Sequence, residues 1–391
     1  MNKALLSLLF LCAAHLSTAQ GTWTQLSDIP GPGRHHACSF VLGDSAYVAT
    51  GNTLSDFYRY DIHNDSWTQL DDFPGGNRDY SIGFSVNGKG YISCGYDGTS
   101  ANMEIWEYDA TIDTWTQKTS GPAIGRIHPA FSVVGDRVYI GQGQQDGNFA
   151  DLDDWYEYNT TTDTWTVKTN FISQRHHGAG ATVGNTIYVG TGHHLDNMYS
   201  DWYAYDADLD TWQTKSDFPG NGRSAANSVS VGNNVYFLCG EDEINFARFD
   251  DFWEYNTVLD SWSSLEDFPA GGRWAPFMFV HNDTIYAGAG QNEQMINQKD
   301  CWRYNFPNVG VDDRLEAKVL LSPNPVENQL SINSSSVING VKIYSEIGSQ
   351  VYDSPSNSVQ VTLDLSDLSR GIYLVKIELE NGREVIQRMV K

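Results

Sequence analysis

From Thr22 to Asn305 the chain alternates apolar and polar residues in short runs cut by Gly, Asn and Asp. Period-two alternation broken by turn residues predicts β-strands joined by tight hairpins. The runs recur in a fixed order of four. The first follows an Arg and is built of small residues, most plainly in Arg175-His176-His177-Gly178-Ala179-Gly180-Ala181. Ala37, Ser81, Pro129, Gly178, Ala226 and Pro276 share one position in it. A two-residue turn such as Asn87-Gly88 or Gly184-Asn185 follows, because such pairs tolerate positive φ. The second run carries Tyr47, Tyr91, Tyr139, Tyr188, Tyr236 and Tyr286, each four residues before a Gly. The third opens on an acid (Asp56, Glu104, Asp154, Asp201, Asp251, Asp300), and an Asp-Ser or Asp-Thr pair delivers the Trp of the fourth.

Trp23, Trp67, Trp115, Trp165, Trp212 and Trp262 stand 44, 48, 50, 47 and 50 residues apart, and Arg34, Arg78, Arg126, Arg175, Arg223 and Arg273 keep nearly the same step. A period near ~50 residues made of short strands predicts four-stranded sheets set radially about a narrow axis. The axis explains the small side chains of the innermost strand. The ends of the array complement each other. Thr22-Trp23-Thr24-Gln25-Leu26 is a fourth strand with no first three, and Arg273 to Asn305 supplies three strands with no closing Trp. The expectation is six sheets, with the N-terminal strand completing the sixth and removing the open edge.

The repeated Arg, hairpin, Tyr before Gly, acid and Asp-Ser/Thr-Trp over residues 22 to about 305 resemble kelch repeats. One departure stands out: the kelch double glycine keeps only its second member, the first being Thr50, Cys94, Gln142, Thr191, Cys239 or Ala289. The tail has another pattern, with Leu321-Ser322-Pro323-Asn324-Pro325 at its head, Gly371-Ile372-Tyr373-Leu374 later, and a close on Arg388-Met389-Val390-Lys391. It resembles a type IX secretion sorting domain of type A, with Pro323, Asn324, Pro325, Gly371, Tyr373 and Lys391 carrying the motif. The fold class expected is all-β: a six-bladed kelch-type β-propeller closed by the N-terminal strand, then a small antiparallel β-sandwich.

At the N-terminus, Lys3, the apolar Ala4 to Ala14 and Ser17-Thr18-Ala19 before Gln20 read as an export signal cleaved between Ala19 and Gln20. The expected organisation is a signal peptide over 1–19, the propeller over 20–306, a linker over 307–317 and the sorting domain over 318–391. The tail's resemblance implies passage across a Gram-negative outer membrane by the type IX machinery, to the medium or the outer cell surface.

Composition narrows the partners. There are 49 acidic against 24 basic residues, a net charge of −25. This opposes binding to nucleic acid or an anionic membrane, which attract Lys and Arg. No apolar run reaches the ~20 residues of a membrane span. Aromatics make up 13 % of the chain, which suits stacked sheets. Cys38, Cys94, Cys239 and Cys301 remain after cleavage and are expected as buried thiols. A monomer is expected.

Candidate chemistry lies where the first strands begin. The six Arg and the six strand-three acids should lie near one rim. They either pair to hold the blades in register or turn some Arg to a ligand carboxylate. Two residues beyond each Arg stand His36, Tyr80, His128, His177, Ala225 and Ala275, so four blades offer rings and two do not; Trp274 follows Arg273 directly. The candidate ligand-binding mouth is therefore Arg34, His36, Arg78, Tyr80, Arg126, His128, Arg175, His177, Arg223, Arg273 and Trp274. His128 and His177 fall on adjacent blades and could share a metal, but spacing supplies no third ligand, so no metal and no cofactor is expected. Most loops between strands two and three are long and uneven, as binding loops are. No catalytic residue is assigned: there is no phosphate loop, nucleophile elbow or metalloprotease helix. The expected function is capture of a glycan or a peptide at the rim. The resemblance implies alternatives. One is a sialic-acid mutarotase using Arg34, Arg126, Arg175 and His177. The other is a galactose-oxidase-like enzyme needing a Tyr linked to Cys beside two His, for which Tyr80 and Cys94 offer no match.

Overall fold

The computed structural model describes residues 21–121, 124–307, 319–323, 326, 328–345, 349–380 and 384–391. The export signal with Ala19 and Gln20, the linker beyond Pro307, and Asn324 and Pro325 lie outside the described residues. The chain divides into two compact units at Pro307/Asn308. Among the described residues no helix is long and apolar enough to cross a membrane.

The first unit is six antiparallel four-stranded sheets. Blade 1 is Cys38–Leu42, Ser45–Ala49, Phe57–Asp61 and Ser66–Leu70; blade 2 is Ile82–Val86, Lys89–Ser93, Ile105–Asp109 and Thr114–Gln117. Blade 3 is Ala130–Val134, Arg137–Gly141, Trp155–Asn159 and Thr164–Lys168; blade 4 is Ala179–Val183, Thr186–Gly190, Trp202–Asp206 and Thr211–Lys215. Blade 5 is Asn227–Val231, Asn234–Leu238, Phe252–Asn256 and Ser261–Ser264. Blade 6 takes Phe277–His281, Thr284–Gly288 and Cys301–Asn305 from the end of the array and Thr22–Gln25 from its start. The closing strand sets Trp23 opposite Tyr304. The expected six-bladed propeller and its N-terminal closure are both present.

The repeated residues are the fasteners between blades. In blades 1 to 5 the strand-three Tyr donates its hydroxyl to the Asp two residues before Trp, at 2.6–2.7 Å (Tyr60–Asp65, Tyr108–Asp113, Tyr158–Asp163, Tyr205–Asp210, Tyr255–Asp260). Four of those carboxylates also accept a backbone N–H from the preceding blade's exit, at Ser27, Thr119, Thr169 and Ser216. The same exits accept the indole N–H of Trp67, Trp165, Trp212 and Trp262 at 2.8–3.0 Å. Between these polar ties the blades bury aromatic faces; Phe57, for instance, meets Tyr108 edge-on at 5.0 Å across the blade 1–2 seam.

The missing first glycine of each pair has a local cause. Thr50, Cys94, Gln142, Thr191, Cys239 and Ala289 all have φ between 53° and 61°, which side chains tolerate at some cost. The next residue, always Gly, has φ of 79–105°. A Cβ there would strike the carbonyl of the residue after Arg, as at Gly51 against His35 and Gly240 against Ser224. Only this second position requires Gly. Its amide donates to the next blade's Arg carbonyl at all six junctions, from Gly51 to Arg78 (2.9 Å) round to Gly290 to Arg34 (2.8 Å). The ring is closed by backbone as well as by the shared sheet.

The second unit is one curled antiparallel sheet of Leu320–Ser322, Gln329–Ser345, Gln350–Asp364, Ile372–Leu379 and Glu384–Val390. Gln329–Ser345 pairs with three of the other strands, and register shifts between Asn333 and Gly340 let it bend. Leu330, Ile332, Val341, Ile343, Leu363, Val375 and Ile377 meet in its core. The expected sandwich is thus made from a single sheet folded over one core. Gly371 and Lys391 exchange backbone hydrogen bonds at 2.9 and 3.0 Å, and Tyr373 donates its hydroxyl to the Ser369 carbonyl.

Candidate functional site

The six first strands surround an axial channel of about 530 Å³, lined in part by Ala37, Ser81, Pro129, Gly178, Ala226 and Pro276. At the end where these strands begin, the residue after Arg bridges to the residue after Gly, as in Asp79 with Tyr96, His176 with His193 and Trp274 with Gln291. The loops between strands two and three are thereby held around this mouth.

All six Arg are buried and engaged by the acids of strand three. Arg34–Asp56, Arg126–Asp154, Arg175–Asp201 and Arg223–Asp251 are two-pronged; Arg126 Nη1 lies 2.5 Å and Nη2 2.8 Å from the carboxylate. Arg78–Glu104 and Arg273–Asp300 use one prong each, at 2.7 and 3.1 Å. The four two-pronged Arg also donate to the carbonyl of the left-handed residue, Thr50, Gln142, Thr191 or Cys239. Their role is the architectural one. Each Arg of the candidate mouth, Arg34, Arg78, Arg126, Arg175, Arg223 and Arg273, is thus held by a carboxylate of its own blade, as a buried guanidinium needs to be. The Cys94 thiol faces Met103 Sδ at 3.4 Å, and the four cysteines among the described residues are buried free thiols.

The non-repeating residues meet at the axis. His36, Tyr80, His128, His177, Ala225 and Ala275 all have φ of 50–58°. Their amides tie blade to blade, His177 N–H to the His128 carbonyl and Ala275 N–H to the Ala225 carbonyl, for example. With the backbone set by this belt, the rings crowd the centre. The Nε2 atoms of His36 and His177 stand 2.9 Å apart. His128 lies 3.6 Å from His177 by ring centroid, Tyr80 4.2 Å from His128, and Trp274 4.6 Å from His36. The structure therefore brings His36, Tyr80, His128, His177 and Trp274 together, and supplies the third imidazole that spacing did not: His36 belongs to the blade opposite His177.

Carboxylates form a second circle that the repeat pattern did not reveal. Glu243 accepts contacts from His177 Nδ1 and His193 Nδ1 at 3.0 Å and from Ser224 Oγ at 2.5 Å. Asp151 meets His176 Nδ1 and His194 Nδ1, both at 2.7 Å. Asp79 accepts the N–H groups of Asn52 and Tyr80 and lies 3.5 Å from His35. Arg248 is held by Glu241 at 2.6 Å and Gln291 at 2.7 Å.

Burial first, then neighbouring imidazoles, push His36 and His128 well below the usual histidine range. His177 is lowered by burial in spite of Glu243. His176 goes the other way: burial would lower it, but Asp151 and Glu243 hold it charged up to about 9. Glu243 is kept far below the carboxylate range, its burial outweighed by three histidines, whereas burial raises Asp79 to about 7. The centre is thus a set of neutral imidazoles beside a charged His–carboxylate layer, the kind of perturbed cluster that marks functional sites.

Comparison with known proteins locates two parts of the chain. Residues 321–391 match the family model described as the secretion system C-terminal sorting domain. The solved structure of YjhT superposes with a TM-score of 0.63 at 14 % identity, covering 71 % of this chain and 95 % of that one, a likeness of fold. No curated protein matches by sequence. A six-bladed propeller carrying a secretion-system sorting domain is a protein addressed for export, to the cell surface or beyond it, through contact with the secretion machinery.

Proposed function

We propose that this is an exported binding protein of a Gram-negative bacterium, carried by the type IX route, which captures a peptide or protein segment on the loop-bearing end of the propeller. The observation that carries this reading is at the loop tips. Blades 3, 4, 5 and 6 each expose an apolar side chain there, Phe149 (65 %), Leu195 (72 %), Phe246 (80 %) and Met295 (71 %). All four have φ of 53–61°, a strained choice for such residues. Apolar groups offered to water around a polar, aromatic mouth are what a partner segment would cover. The net charge of −25 favours a segment rich in Lys and Arg. A glycan is the second reading, favoured by Trp274, whose ring borders the mouth and whose buried Nε1–H lacks a partner.

Peptide and glycan arrays, probed with the full chain and with the double variant Phe149→Ser, Phe246→Ser, test this. Binding to basic-apolar peptides that the double variant loses supports the proposal. Glycan binding alone, or no binding by the folded chain, overturns it.

A further inference from the structure

The strongest unassigned feature is at the centre of the mouth. His36, His128 and His177 come from blades 1, 3 and 4, yet one ring nitrogen of each lies within 4.8 Å of the other two. The Nε2 atoms of His36 and His177 are separated by 2.9 Å. Two imidazole nitrogens each about 2.0–2.1 Å from one ion stand about 2.9–3.4 Å apart, depending on the angle between them. The three rings are thus collected to within a side-chain adjustment of a common ion.

The fold does not call for them. Blades 5 and 6 place Ala225 and Ala275 at the equivalent position with the same left-handed backbone. Both ring nitrogens of His128 are buried without a partner, so this side chain bears the desolvation of two polar atoms with no return from the protein. By contrast, Nδ1 of each of His176, His193 and His194 faces a carboxylate, Asp151 or Glu243.

Proton placement agrees. Glu243 Oε1, 3.0 Å from His177 Nδ1, holds the N–H there and leaves the Nε2 lone pair facing the axis. His36 Nδ1 lies 2.9 Å from His35 Nδ1, which can accept its N–H once a cation replaces the proton that the His36–His177 Nε2 contact otherwise needs. Two of the three rings, His177 and His36, thus have a group behind them of the kind that orients a metal-binding histidine.

We propose that His36, His128 and His177 form a three-imidazole site for one late first-row divalent cation, with Zn²⁺ as its simplest occupant, at the mouth of the axial channel. Imidazole donors select this class of ion over Mg²⁺ or Ca²⁺. Three protein ligands leave a coordination position for water or a ligand group. This inference does not rest on the peptide reading, since the metal alone tests it.

The full chain, freed of metal by a chelator and dialysed, is titrated with Zn²⁺ by calorimetry and with Co²⁺ by visible absorption. The expected result is one equivalent bound. Affinity should fall at least ~100-fold in His128→Ala and in His177→Ala, and about 10–100-fold in Glu243→Gln. His63→Ala, on the exposed surface, should bind as the parent does. Absence of a stoichiometric site in the folded parent chain, or parental affinity in both His→Ala variants, overturns the proposal. Thermal unfolding checks each variant. If one does not fold, the Co²⁺ spectrum of the parent decides: ligand-field bands of nitrogen ligation are expected, and an aquo-ion spectrum contradicts the site.

Discussion

His36 and His177 meet Nε2 to Nε2 at 2.9 Å, although they belong to blades 1 and 4, which are opposite in the ring. The contact spans the propeller axis. It is possible because the belt of left-handed residues turns these side chains inward, and because Glu243 holds the far side of His177. The carboxylate sets the tautomer: in the metal-free chain His177 should carry its proton on Nδ1. Long-range ¹⁵N–¹H correlation of the ring is expected to show the Nδ1–H form, and Glu243→Gln should mix the tautomers. A dominant Nε2–H form in the parent chain would contradict the assignment.

The Arg–acid pairs should be worth most where they are two-pronged. Arg175 is fully buried, grips Asp201 through both nitrogens and ties down the Thr191 carbonyl. Arg175→Ala should cost about 3–5 kcal/mol, since it strands a carboxylate and removes a carbonyl's donor. Arg175→Lys should recover only part, lacking the fork. Arg78→Ala, at a single-pronged pair with the more exposed Glu104, should cost less. Urea unfolding measures all three; equal losses at Arg78 and Arg175 would refute the ranking.

These pairs were legible in the sequence because they repeat. Arg34 with Asp56 and Arg175 with Asp201 fall at the same two points of every unit, and Tyr60, Asp65 and Trp67 at the same three points of blades 1 to 5. Periodicity encodes what every blade shares, which is why it exposed the fold and the closing strand. It also drew the Arg ring into the candidate mouth, where each Arg is paired with its strand-three acid. Glu243, Asp151 and Arg248 sit in loops that follow no period, and Glu243 reaches His177 across 66 residues of sequence. Their one sequence signal was negative, in that they break the pattern.

Closure should be measurable at Trp23. It packs against Phe252, Phe268 and Tyr304 at 5.1–5.2 Å and donates its indole N–H to the Glu266 carbonyl. Trp23→Ala should lower stability by about 3 kcal/mol through lost packing. Hydrogen exchange should localise the loosening to blade 6 and its blade 5 neighbours. A loss spread evenly over the ring, or none, would argue against a closing strand that carries load.

Alkali should unfold the propeller before its fastening tyrosines ionise. Burial and then Asp56 raise Tyr58 to about 12, and burial and then Glu254 raise Tyr304 to about 12. Tyr60, Tyr108, Tyr158, Tyr205 and Tyr255 are pushed higher still, by burial and by the Asp each one holds. A folded pKa raised above the unfolded value of ~10 gives stability that is complete below pH ~10 and is lost as pH rises toward the folded value. Tyrosinate absorbance should therefore rise together with loss of the strand signal in circular dichroism. Ionisation near pH 10 with the strands intact would contradict this.

The central claim is that the rings at the axis serve a ligand and not the fold. Its most direct test is the quadruple variant His36→Ala, Tyr80→Ala, His128→Ala, His177→Ala, which gives four blades the residue that blades 5 and 6 already have at Ala225 and Ala275. Measured in chelator beside the parent, this variant should keep one cooperative thermal transition and lose no more than about 1 kcal/mol per substituted residue, the ordinary cost of a substitution, the His177–Glu243 contact included. A collapse of the cooperative transition would show that the rings are packing elements, and the functional reading of the mouth would be wrong.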